Sequence, residues 1–196
     1  MNEMKIYKIV LAVLIIAIIS ISVIVGIKYI KEYTSEAETK EVIASINEKL
    51  NDSDNTEVIK EIDEKIKGHK VVGIISIPKV KLEYPILETT TEETLNLSIT
   101  KFWGNEINEI GNVTLAGHNN LSGVMFGKIK KLENGDIIEL TDIQNITLKY
   151  EVFRTYIIDP NDISCILPVE EDTREVTLIT CTTGGKERFI VKAREI

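Results

Sequence analysis

The chain has 196 residues, 43% of them hydrophobic and 28% charged, with a formal net charge of −8. That composition excludes wholesale disorder, and 4 prolines, 11 glycines and 2 cysteines exclude a collagenous chain or a disulfide scaffold. The acidic balance argues against nucleic acid as a partner, because phosphate binding needs a basic face.

The first element is a run without charge, Ile9 to Ile27. A helix of that length spans roughly 28 Å, about the hydrocarbon core of a bilayer. A signal peptide would have a shorter apolar region ending in a small-x-small site. Here the only such pair, Ser20 and Ser22, lies inside the run, so an uncleaved anchor is expected. Lys5 and Lys8 precede the span and Lys28 and Lys31 follow it, a near tie for the positive-inside rule. The short N-terminal tail favours N-in, C-out. Residues 1–31 are therefore read as a cytoplasmic tail and transmembrane anchor.

Residues 32–69 are acidic, with Val42, Ile43, Ile46 and Leu50 at near-helical spacing. Val58, Ile62 and Ile66 repeat that spacing after the break at 51–55. This segment is expected to be a partly helical stalk or linker, or a helical hairpin packed on the next domain.

From residue 70 the pattern becomes β. Strands are expected at 71–77, stopped by Pro78, and at 81–87, where Pro85 implies an edge or a bend. Thr90 to Glu93 reads as a capping box for a short helix through Leu97. Further strands are expected at 112–116, 137–140, 145–158, 175–180 and 188–193, with a short helix at 125–132. Seven or eight short strands with little helix suggest a mainly β fold, a closed or nearly closed barrel. Residues 70–196 form this domain.

Few residues can carry chemistry. His69 ends the linker and reads as a linker side chain. His118 follows the apolar run Val113 to Ala116, where a strand gives way to a loop. Cys181 ends the strand Thr177-Leu178-Ile179-Thr180-Cys181. Alternation puts Thr177, Ile179 and Cys181 on one face and Leu178 and Thr180 on the other. Cys165 is flanked by apolar residues and reads as a small buried hydrophobe. A Cys165–Cys181 disulfide is the alternative for an exported chain. Arg188 opens the strand after Cys181, across a tight hairpin. An arginine there can lower a thiol pKa and stabilise an oxyanion. Two histidines and two cysteines lack the paired spacings of zinc sites, so no metal and no cofactor are expected.

Taken together, these pieces resemble a sortase, the membrane-anchored cysteine transpeptidase of Gram-positive bacteria. Thr177 to Cys181 is similar to the family's TLxTC motif, Leu115-Ala116-Gly117-His118 resembles its strand-end histidine motif, and Gly73 to Pro78 resembles its first strand. The resemblance implies an eight-stranded sortase-type β-barrel with short helices, preceded by a transmembrane helix and a helical stalk. It implies cleavage of an LPxTG-like sorting signal on surface proteins and transfer to a peptidoglycan-precursor or pilin amine. Cys181 would be the nucleophile, His118 the general acid and base, and Arg188 the oxyanion donor, with Thr180 and the Thr182 N–H as substrate-binding or oxyanion groups. The motifs look class D-like or class B-like. The localisation implied is a single-pass membrane protein with an extracellular catalytic domain. The other readings are a membrane-anchored cysteine peptidase that hydrolyses, and a non-catalytic extracellular β-domain that binds a ligand.

Overall fold

The computed structural model describes residues 7–27, 29–30, 66, 68–120, 123–168, 170 and 172–196. The chain divides into two compact units, one holding the N-terminal helix and the other the β domain. The helices expected within 32–65 lie outside the described residues.

In the first unit, α1 (Tyr7–Ile27) has 21 residues. Its length is about 32 Å, enough to cross a bilayer, and its apolar side chains are exposed. Ser20 and Ser22 donate to the carbonyls of Ile16 and Ile18 at 2.8 and 2.9 Å. Each hydroxyl is thereby satisfied within the helix, as an apolar surrounding requires. Such a helix fits a membrane anchor or a signal sequence.

The second unit is an eight-stranded barrel: β1 (Val71–Ile77), β2 (Leu82–Leu87), β3 (Ile99–Trp103), β4 (Gly111–Ala116), β5 (Ile137–Asp142), β6 (Thr147–Ile158), β7 (Arg174–Cys181) and β8 (Arg188–Glu195). The strands close in the order β1-β2-β3-β4-β7-β8-β6-β5, with β5 returning to β1. Two neighbours run parallel, β2 with β3 and β4 with β7; the rest are antiparallel.

β1 is buried along almost its whole length because both faces are covered. Val72, Ile75 and Ile77 enter the main core, with Ile138, Leu140, Tyr150, Leu178 and Val191. Val71 and Ile74 face outward into a second cluster with Leu87, Leu97 and Ile66. A register shift between Val71 and Gly73 marks where the facing changes. Ile66 ends the linker, so at least this residue packs on the barrel.

Three local expectations change. β3 was not anticipated: it follows α2 (Glu92–Leu97) directly, without a turn residue to announce it. The capping box of α2 is built by Thr91 and Thr94 instead of Thr90 and Glu93. The Thr91 hydroxyl accepts from Thr94 N at 3.2 Å, and Thr94 Oγ1 accepts from Thr91 N at 2.8 Å. Pro85 is tolerated because β3 pairs only with Ile86 and Leu87, leaving β2 a local edge at Pro85. The helix expected at 125–132 is a 3-10 segment, Phe126–Lys131, whose Phe126 and Ile129 are buried.

Candidate active site

Three strands carry the candidate residues. On β7, Val176, Leu178 and Thr180 point inward, which leaves Glu175, Thr177, Ile179 and Cys181 on the outer face. The antiparallel register with β8 sets Cys181 opposite Arg188 and Ile179 opposite Ile190. On the other side of β7, the parallel register with β4 sets Ala116 beside Ile179. Gly117 N–H donates to the Ile179 carbonyl at 3.2 Å and carries the pairing one residue further. His118 thus leaves β4 at the level where β7 reaches Cys181.

His118, Cys181 and Arg188 line one end of a cleft of about 310 Å³. Its floor is the outer face of β4 and β7, at Ala116 and Ile179, with Thr180 at its edge. One wall is Thr90, Leu95 and Phe102, from around α2 and β3. The other is the loop between β6 and β7, with Pro160, Ile163, Cys165 and Ile166. The walls are mostly apolar, with Thr90 and Asp162 as their polar members.

Hydrogen bonds, one of them buried, hold the segments that carry these residues. Thr180 is 2% exposed, and its hydroxyl donates to the Gly117 carbonyl at 2.7 Å. It ties β7 to the turn that carries His118. Asn119 Nδ2 donates to the Cys181 carbonyl at 2.7 Å, fixing the residue after His118 to the backbone of Cys181. Gly117 has no room for a side chain, since a Cβ would lie 2.6 Å from Ile99 Cδ1 and 2.8 Å from Phe126 Cδ2. The Arg188 guanidinium rests on the carbonyls of Gly185 and Glu187, both at 3.3 Å, within its own loop. Lys130 donates to Thr183 Oγ1 at 3.1 Å and braces that loop from the 3-10 segment.

The expected oxyanion donor at Thr182 is engaged elsewhere. Its N–H donates to the Glu187 carbonyl at 2.9 Å, closing the β7–β8 hairpin. Cys165 and Cys181 are both free thiols. Cys165 is 2% exposed, and burial pushes its pKa above the ordinary thiol range. His69 lies away from the cleft, 3.7 Å from Glu93. Among the described residues, no three His, Cys, Asp or Glu side chains gather as a metal site. Sequence reasoning missed Asn119 and Lys130. Their partners are Cys181 and Thr183, brought close only by pairing across the barrel.

The Sortase domain family matches residues 75–196. Sortase A of Bacillus anthracis is 35% identical over 125 residues, covering 62% of this chain and 58% of that protein. The matched part thus spans less than two thirds of that relative. A solved structure of the Clostridium perfringens sortase D5 transpeptidase aligns with a TM-score of 0.65 at 31% identity, over 82% of this chain and 99% of that one. Sortase A of Listeria monocytogenes aligns with a TM-score of 0.59 at 30% identity, over 64% and 87%. Relatives carry the names sortase A, C and D, so the similarities do not single out a class.

Proposed function

The chain belongs to the sortase family, and on that premise we propose that it is a membrane-anchored cysteine transpeptidase. Its donor substrate is a surface protein with an LPxTG-like sorting signal. Its acceptor is an amine of a peptidoglycan precursor or a pilin. Residues 1–31 are the tail and anchor, 32–69 the stalk, and 70–196 the catalytic domain, held outside the cell by α1.

The observation that carries this reading is the convergence of Cys181, Arg188 and His118 at one end of an apolar-walled cleft. Cys181 Sγ, as thiolate, attacks the carbonyl carbon at the scissile bond. The Arg188 guanidinium turns from its loop carbonyls to the oxygen as it becomes anionic. Collapse breaks the C–N bond, and His118 gives its proton to the departing amine. A thioester on Cys181 remains. The incoming amine attacks that thioester, His118 takes the proton, and the thiolate leaves. Thr182 N–H would join as a donor only by releasing Glu187, so Arg188 is assigned the main role. Thr180 acts from beneath, by holding Gly117.

The test is mass spectrometry of the full chain with a sorting-signal peptide. An acyl adduct on Cys181, resolved to a transpeptidation product on adding an amine, supports the reading. Adduct followed only by hydrolysis favours the peptidase alternative. No adduct at all, with peptide bound, favours a binding module. Protease added to intact protoplasts should remove the domain; a protected domain would refute the topology.

A further inference from the structure

The loop between β6 and β7, residues 159–173, is long for a connection without strands, and it forms one wall of the cleft. At its central turn, Ser164–Ile166, and the residue that follows, the successive carbonyls of Cys165, Ile166 and Leu167 face the barrel. Three side chains from three neighbouring strands meet them. Asn112 of β4 donates to Ile166 O at 2.7 Å and Cys165 O at 3.4 Å. The single Thr177 hydroxyl proton of β7 has Asn112 Oδ1 at 2.9 Å and Cys165 O at 3.3 Å as acceptors. Lys192 of β8 donates to Leu167 O at 2.6 Å and Cys165 O at 3.4 Å.

Lys192 is an unusual choice for this place. It is 2% exposed, and burial lowers its pKa, with Glu175 opposing the shift. Glu175 lies 3.5 Å away and is itself held by Arg194 at 3.0 Å. Arg194 in turn reaches Glu170 of the loop at 2.9 Å. Apolar residues could fill such a space with equal or greater stability, so a buried ion network is not there for stability alone. What it supplies is direction: ammonium and amide donors aimed at carbonyls that would otherwise be orphaned.

We propose that Lys192, with Asn112 and Thr177, is a positioning residue that clamps the β6–β7 loop as a preset wall of the cleft, so that the peptide meets a formed site. The inference rests on the transpeptidase reading for its kinetic consequence, but not for its structural one. Lys192 touches no reacting atom. Its loss should weaken peptide binding and leave the Cys181 chemistry intact.

Cys165 reports on the clamp, since it lies in the clamped turn and is buried. The experiment compares the full chain, wild type and Lys192→Met, in detergent. Labelling of Cys165 by a thiol reagent is followed by mass mapping, beside steady-state kinetics on one sorting peptide. Without the clamp, labelling should accelerate on the order of tenfold to a hundredfold, as loss of buried hydrogen bonds favours local opening. KM should rise several-fold with kcat kept within about twofold, the pattern of lost uniform binding. Lys192→Met with Glu175→Gln removes both charges and should behave alike, which decides the matter if the single variant does not fold. Unchanged Cys165 protection in the folded variants, unchanged KM, or kcat and KM deteriorating together with the melt would each overturn the proposal. If the wild type cleaves no sorting peptide, the function reading fails, and Cys165 labelling alone decides the clamp.

Discussion

Replacing Gly117 by alanine perturbs the site through packing. A Cβ there would lie 2.6 Å from Ile99 Cδ1 and 2.8 Å from Phe126 Cδ2, and both neighbours are fully buried. Carbon atoms pack at about 3.5–4.0 Å, so one of the two, or the backbone, must retreat by roughly 1 Å. Ile99 Cδ1 is a terminal methyl but is fully buried, and the Phe126 ring is stiff and opens the 3-10 segment, so the relief must come from repacking around them. Overpacking of this kind costs about 1–3 kcal/mol. For a domain of this size, that is a Tm drop of about 3–15 °C. The displacement also reaches His118, the next residue, and a misplacement of about 1 Å can cost on the order of a hundredfold in rate. Thermal melting and peptide kinetics should therefore show a modest loss of stability with a larger loss of kcat, while alkylation of Cys181 persists. A Gly117→Ala chain that melts and turns over like wild type would refute the claim that this contact sets the histidine.

Arg188→Lys keeps charge but loses the planar fork of donors, so kcat should fall on the order of tenfold to a thousandfold, as in Arg188→Ala, with KM less affected; near-normal kcat in the lysine variant on the same peptide would refute a geometric role. Cys181→Ala should abolish adduct formation, whereas Cys165→Ala should retain most activity, and an adduct mapped to Cys165 would reverse the assignment. Because burial raises the Cys165 pKa, its thiolate appears only at higher pH than an ordinary thiol's; alkylation from pH 6 to 9 should label Cys181 first throughout, and early labelling of Cys165 would contradict the burial. Residues 71–196 should fold without the linker, but starting at residue 66 should raise the melt, because Ile66 is 8% exposed against Val71, Ile74 and Leu87 and burying such a side chain contributes about 1.5–3 kcal/mol. Equal melting of the two chains would show that Ile66 adds nothing.

Much of the barrel is legible from local signals. The strands read at 175–180 and 188–193 identify β7 and β8, and the tight hairpin between them makes the opposition of Cys181 and Arg188 foreseeable. His118 is legible as a strand-end residue, although its approach to Cys181 is not: that depends on β4 lying parallel to β7, and no local pattern announces such a partner. The same non-locality hides Asn119 and the Lys192 clamp. Nothing in the sequence singles out Lys192, whose burial comes from the fold around it. The engagement of Thr182 was hidden for a nearer reason: a hairpin pairs its own backbone, and the Thr182 N–H is used in closing the turn.

The mixed pairing around β7 has a kinetic side. The β7–β8 hairpin joins near neighbours in sequence, and hairpins form in about 1–10 μs. The β4–β7 ladder joins residues such as Gly111 and Arg174, roughly sixty positions apart, and must first meet the entropy of closing that long loop. Topologies dominated by such contacts fold in milliseconds to seconds. Cys181 thus gains Arg188 early and His118 late. A chain in which β4 has not yet docked on β7 would hold Cys181 beside Arg188 but not beside His118, so the three candidate residues come together only once that ladder forms.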